Sequence, residues 1–276
     1  MKILLTGASG FIGGHVRKAL EQDSHEVICV DRHHGMNFNQ MNSAEDWLPM
    51  LKGVDAAINA VGIIVERGEN RFHTLHQEAP AALFNACDQA GVSRVVQISA
   101  LGADDQSFTP YQLTKKSADD TLRSLPVDWF VLRPSLVIGE GGASLAMFRR
   151  MARLPLLVLA DGGSQRVQPV HVADLVDTVR HCLVSDRSRL TLDVVGPEPM
   201  SFAQWLNRLR KHEGRSPARI LPVPFSLILA MAHAGHFLVP IMHPDNLRML
   251  QRGNTSDPGP LEDFLGRQLR PVEQAL

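Results

Sequence analysis

The chain has one tyrosine, few cysteines and almost no charge imbalance, and each shortage removes a class of explanation. Its 28 lysines and arginines against 29 aspartates and glutamates leave a formal charge of -1 over 276 residues. That balance gives no field to draw nucleic acid or an acidic surface to the whole molecule, so partners must be recognised by local sites. The three cysteines, Cys29, Cys87 and Cys182, are far apart and form no CxxC pair. Neither a disulfide framework nor a zinc cluster fits that pattern, and a reducing cytoplasm is the expected compartment. With a single tyrosine, Tyr111, and only six lysines, any pairing of the two residue types is informative.

Charge is also missing locally. No Asp, Glu, Lys or Arg occurs over 220–242, a run long enough to raise the question of a membrane span. Pro222, Pro224 and Pro240 shorten it, and an unbroken helix over 225–239 would cover roughly 22 Å against a hydrocarbon core of about 30 Å. His233 and His236 add to the cost of spanning. A buried or dimer-forming helix is expected there, with shallow membrane contact as the alternative. At the other end, Ile3, Leu4 and Leu5 run straight into Thr6, Gly7 and Gly10, which reads as a strand and turn and not as a secretion signal.

What is present alternates. Short β-branched runs at 2–6, 26–30, 56–60, 94–99 and 128–133, with a weaker one at 36–38, are separated by helical patterns at 11–22, 44–52, 71–90 and 111–124. That alternation predicts an α/β fold with a doubly wound, Rossmann-type parallel sheet. A dinucleotide-binding domain is expected over 1–139, and a small C-terminal cap over 140–276, interleaved with the last sheet strands. Helices are expected in the cap at 144–153, 172–184 and 201–212. His33 and His34 read as solvated loop residues. His171 and Asp174 are three apart but have no third ligand nearby, so no metal is expected.

The turn Thr6-Gly7-Ala8-Ser9-Gly10-Phe11-Ile12-Gly13 leaves the first strand and opens the first helix. Gly7 permits the tight turn, Gly10 lets the backbone approach a pyrophosphate, and Gly13 lets helix and sheet pack closely. The backbone from Ser9 through Phe11 and Ile12 to Gly13 then faces the phosphates with the helix N-terminus. The second strand ends in Asp31, placed to hydrogen-bond ribose hydroxyls, and Arg32 follows, which suits a ribose phosphate. NAD or NADP is the expected cofactor, with NAD favoured by Asp31. Tyr111 and Lys115 lie one helical turn apart, so the ammonium should favour the phenolate and lower the tyrosine pKa, as a general base requires. Ser99, at the carboxyl end of the fourth strand, is placed to hold a substrate oxygen.

With those residues in hand, the chain resembles the short-chain dehydrogenase/reductase superfamily, in its extended or atypical, epimerase/dehydratase-like form. Asn59-Ala60-Val61-Gly62, Leu132-Arg133-Pro134-Ser135, Gln168 to Asp174 and Val195-Gly196-Pro197 carry the likeness. Within it, segments such as Tyr111 to Ser117 and His243-Pro244-Asp245-Asn246 resemble the branch of the NAD(P)H-binding accessory subunit of respiratory complex I and its bacterial relatives. The resemblance implies cofactor contacts from Ala60, Val61, Gly62 and Pro134. It also implies Tyr111 as general acid or base, with Lys115 orienting the nicotinamide ribose. The sequence departs from it where Gln77 or Glu78 stands in place of a usual asparagine, and where Asn37 and Asn39 stand in the adenine region. An oxidoreductase acting on a hydroxyl or carbonyl of a small molecule is one expectation. A non-catalytic NAD(P)H-binding scaffold or sensor, as a homodimer or on a membrane surface, is the other.

Overall fold

The computed structural model describes residues 1–32, 35–235 and 243–276. His33, His34 and the end of the charge-free run lie outside the described residues. The chain divides into two compact units, Met1–Pro134 with Ala173–Val194, and Ser135–Val172 with Val195–Leu276.

The first unit is built on a six-stranded sheet. Its strands are β1 (Lys2–Thr6), β2 (Glu26–Val30), β3 (Ala56–Asn59), β4 (Arg94–Ile98), β5 (Asp128–Pro134) and a last one, Leu190–Val194, that returns after an excursion into the second unit. In space the order runs from Leu190–Val194 through β5, β4, β3 and β1 to β2, and every pair is parallel. The central strands are almost wholly buried, as a sheet covered on both faces demands. The chain starts at β1, steps out to β2, then reverses to β3, and open α/β sheets take ligands at the carboxyl ends of such a reversal.

The helices are α1 (Phe11–Gln22), α2 (Ala44–Trp47), α3 (Ala79–Ala90), α4 (Pro110–Arg123) and Val172–Val184. Three expectations are corrected. The weak strand at 36–38 is absent, because Phe38–Gln40 is a 3₁₀ turn in which the Asn37 side chain accepts from the Asn39 N–H. A local side-chain bond of that kind competes with a strand ladder. The helix expected over 44–52 is a single turn followed by the 3₁₀ turn Leu48–Met50, which carries Pro49 and its missing N–H. The helix expected over 71–90 opens with a π-helical turn, His73–Glu78, before α3.

The second unit contains short two-stranded ribbons and the helices Ala143–Ala152 and Phe202–His212, the latter with Ser201 and Gln204 forming a capping box. Trp205, Leu206 and Leu209 form the centre of its core. Phe225–Gly235 is helical, and no helix among the described residues is long and apolar enough to cross a membrane. A side chain on Gly196 would place its Cβ 1.9 Å from the Pro169 carbonyl oxygen, which leaves no room for one. Gly196→Ala should therefore cost about 1–3 kcal/mol by overpacking, read as a lower urea midpoint at an unchanged slope.

Candidate active site

The glycine turn is tight because two backbones meet there. Gly13 lies so close to the first turn that a Cβ on it would sit 2.1 Å from the Gly7 carbonyl oxygen. Gly7 has φ +69, and a Cβ there would come within 2.9 Å of the Ala60 backbone beyond β3. The Gly10 N–H donates to the Gly7 oxygen at 2.9 Å and closes the turn. No side chain caps α1 at Gly10, so the first helical amides are left to other acceptors. Ser9 and Gly10 are exposed, and Phe11 and Ile12 are half-buried behind them. At the end of β2, Asp31 is buried while Arg32 is exposed.

On the other side of β1 the site is made by α4. Thr109 caps that helix, accepting from the Gln112 N–H at 3.3 Å, and Pro110 opens it. Its buried stripe carries Gln112, Lys115, Ala118, Asp119 and Leu122, an unusual load of polar groups for a core-facing helix. The Lys115 ammonium donates to the carbonyls of Val61, at 3.1 Å, and Ile98, at 3.0 Å. It also passes the missing side chain of Gly62, where a Cβ would lie 3.3 Å from Nζ. Burial pulls Lys115 down to about 8, with Asp119 opposing. Tyr111 lies one turn earlier on the same helix.

The tyrosine does not behave as its spacing suggests. Burial pushes the Tyr111 phenol up to about 12, and the charge of Asp119 pushes in the same direction. The expected lowering by Lys115 is overturned: burial and the charge of Asp119 both act on the phenol, and both raise it. Ser99 also points elsewhere. Its hydroxyl is buried and donates to Asp119, and its N–H donates to the Leu132 oxygen at 2.7 Å. Ala60 donates to the Thr6 oxygen at 3.3 Å, and Pro134, at the end of β5, accepts from the Leu101 N–H at 2.9 Å.

Several polar residues escaped the sequence reading. Thr6, Asn59 and Gln97 stand side by side on β1, β3 and β4. Thr6 donates to Asn59 at 2.5 Å and Asn59 donates to Gln97 at 2.7 Å, a buried chain across three strand ends. The signal was a polar residue at the last or next-to-last position of three apolar strands. His76 is the other omission. The π turn rotates it inward, edge-on to Tyr111 with ring centroids 5.4 Å apart and stacked on Phe72 at 5.2 Å. Its Nε2 accepts from the Ile63 N–H at 2.9 Å, and burial followed by the charge of Lys115 pulls it down to about 2. It is therefore a neutral imidazole, and it is the residue beside the tyrosine, ahead of Gln77 and Glu78 in the same turn.

A family model described as NAD dependent epimerase/dehydratase matches residues 3–192. The chain belongs to that family. Among curated proteins it is similar to "Ceramide reductase" of Caulobacter vibrioides, 27% identical over 184 residues, covering 62% of this chain and 57% of that protein. It is also similar to "NADH dehydrogenase [ubiquinone] 1 alpha subcomplex subunit 9, mitochondrial" of Arabidopsis thaliana, 25% identical over 256 residues, covering 84% of this chain and 63% of that one. The chain thus matches less than two thirds of the length of either relative. Among solved structures, "MoeE5 in complex with UDP-glucuronic acid and NAD" superposes over 100% of this chain and 96% of that one, with a TM-score of 0.74 at 22% identity. That likeness fixes the fold as Rossmann-type.

The depressed lysine has a consequence for stability. Between about 8 and its ordinary 10.5, Lys115 is neutral when folded and protonated when unfolded. The unfolded state then binds more protons, so stability rises with pH across that window. In urea unfolding at a series of pH values, the native protein should gain on the order of 2–3 kcal/mol relative to Lys115→Met as pH rises through it.

Proposed function

We propose that this family member is an NAD-dependent oxidoreductase acting on a hydroxyl or carbonyl of a small substrate. The observation that carries this reading is the placement of Tyr111 and Lys115 one turn apart on α4, with the ammonium anchored to the loop after β3. The glycine cradle fits the cofactor, since Gly7 and Gly13 admit no Cβ and α1 presents uncapped amides. Gly7, Ser9, Gly10, Phe11, Ile12 and Gly13 would hold the pyrophosphate, Asp31 and Arg32 the adenosine ribose, and Ala60, Val61, Gly62 and Pro134 would border the nicotinamide half. Asp31 at the end of β2 favours NAD over its phosphorylated form. When bound, the dinucleotide supplies hydride exchange. The protein's part is a proton at Tyr111 Oη: with the phenol held up to about 12, it carries that proton at neutral pH and can give it to an oxygen gaining electrons. All three cysteines are free, which fits a reducing compartment such as the cytoplasm.

A second reading, a dinucleotide-binding protein without turnover, is favoured by one observation, the commitment of the Ser99 hydroxyl to Asp119. Calorimetry with oxidised and reduced NAD and NADP, followed by nicotinamide absorbance with ketones, alcohols and sugar nucleotides, separates the two. The native protein should bind NAD and turn over at least one substrate class. Tyr111→Phe should keep NAD affinity while turnover falls about 10²–10⁴-fold, the usual contribution of a positioned acid or base. Binding without turnover in the native protein would leave the second reading, and no heat with any dinucleotide would sink both.

A further inference from the structure

The buried stripe of α4 does not end at the lysine. Asp119 follows Lys115 along it at an interval of four, and the half-buried Tyr111 precedes Lys115 by the same interval, so the carboxylate follows the ammonium by one turn. Asp119 is wholly buried. Its Oδ2 accepts the Ser99 hydroxyl, while its Oδ1, also buried, meets no hydrogen-bond partner among the described residues. A carboxylate half satisfied in the interior is costly and persists only where nearby charge offsets it.

The groups around it are few. Burial pushes Asp119 up to about 6, while Ser99, Lys115 and Arg123 hold it down, as does the Gln97 amide, which faces it without meeting hydrogen-bond geometry. Lys115 in turn is opposed in its burial by Asp119. From the other elements packed against the pair come the neutral ring of His76, the ring of Phe72 against Tyr111, and the carbonyls of Val61 and Ile98. None of these carries charge, so the local charge balance is set within α4.

We propose that Asp119 is a positioning residue: its carboxylate, aimed by the Ser99 hydroxyl, is the counter-ion of the buried Lys115 ammonium and the charge against which the Tyr111 phenol works. Ser99 then acts through Asp119 and not on a substrate oxygen. This rests on the reading of Tyr111 and Lys115 as the working pair, but its test needs neither dinucleotide nor substrate. Lys115 is already neutral at the pH where Tyr111 ionises, so in that range the lysine no longer offsets the negative charge of Asp119, and removing that charge must bring the phenol down.

Because Tyr111 is the single tyrosine of the chain, tyrosinate absorbance of the whole protein reports that residue alone. Asp119→Asn, checked for native circular dichroism, should lower its midpoint by on the order of one pH unit. An unchanged midpoint in the folded variant overturns the proposal. If Asp119→Asn does not fold, the Tyr111 ζ-carbon resonance is followed through the acid range in the native protein and in Ser99→Ala. The native curve should inflect near the Asp119 midpoint of about 6, and loss of the serine's hydrogen bond should move that inflection upward. A flat curve, or an inflection that Ser99→Ala leaves in place, overturns it. A protein that binds no dinucleotide yet shows these shifts would sink the proposed function and leave the role of Asp119 standing. The converse result would do the opposite.

Discussion

The constraint on which the site depends is the burial of one ammonium ion. Lys115 leaves water and is stabilised by two carbonyl oxygens, one in the loop after β3 and one at the end of β4. Presenting both to one nitrogen requires β3 and β4 to end together, which their register provides by setting Asn59 against Gln97. It is also helped by the missing side chain at residue 62, since a Cβ there would lie 3.3 Å from the lysine Nζ. Strand register, a glycine and the phase of α4 are thus three consequences of one electrostatic requirement.

The same loop links the two halves of the site. Gly7, in the turn after β1, packs against the Ala60 backbone, and Val61 next along accepts from Lys115. A shift in the turn after β1 is therefore passed within two residues to the carbonyl that holds the ammonium. The buried chain from Thr6 through Asn59 to Gln97 reinforces this connection beneath the loop, with Asn59 also accepting from the Val61 N–H at 3.3 Å. Each buried polar group there uses a neighbour on the adjacent strand, which makes the strand ends a single rigid edge.

Much of this was legible from residues. The central strands are apolar runs bounded by turn residues, and a parallel sheet follows from their alternation with helices. The glycine spacing and the Tyr111 to Lys115 interval were legible too, since both rest on fixed backbone periods. The losses have specific causes. Asn37 diverted the expected strand at 36–38 into a turn through its own side chain, and Pro49 ended a helix that hydrophobic spacing alone extended. The π turn at His73–Glu78 could not be read from the helical pattern over 71–90, and the resemblance drew notice to Gln77 or Glu78 in place of His76. Thr6, Asn59, Gln97 and Asp119 were missed because a polar residue at a strand end or on a helix reads as solvated until its neighbours are known.

The sign of the tyrosine shift was misread for a deeper reason. Spacing along a helix gives the distance between two groups but not the medium around them, and here burial raises the phenol and depresses the ammonium, so Lys115 has lost its charge by the pH at which the phenol ionises. Asp119 acts on both groups: it raises Lys115 against the pull of burial, and it repels the phenolate directly. The phenol ends above its ordinary value because repulsion and burial act in the same direction. A phenol balanced in this way is protonated at neutral pH. To act as a base it must gain positive charge near the phenol or lose the negative charge of Asp119. The helix that carries all three groups therefore sets the protonation state of the phenol as well as the spacing of the residues along it.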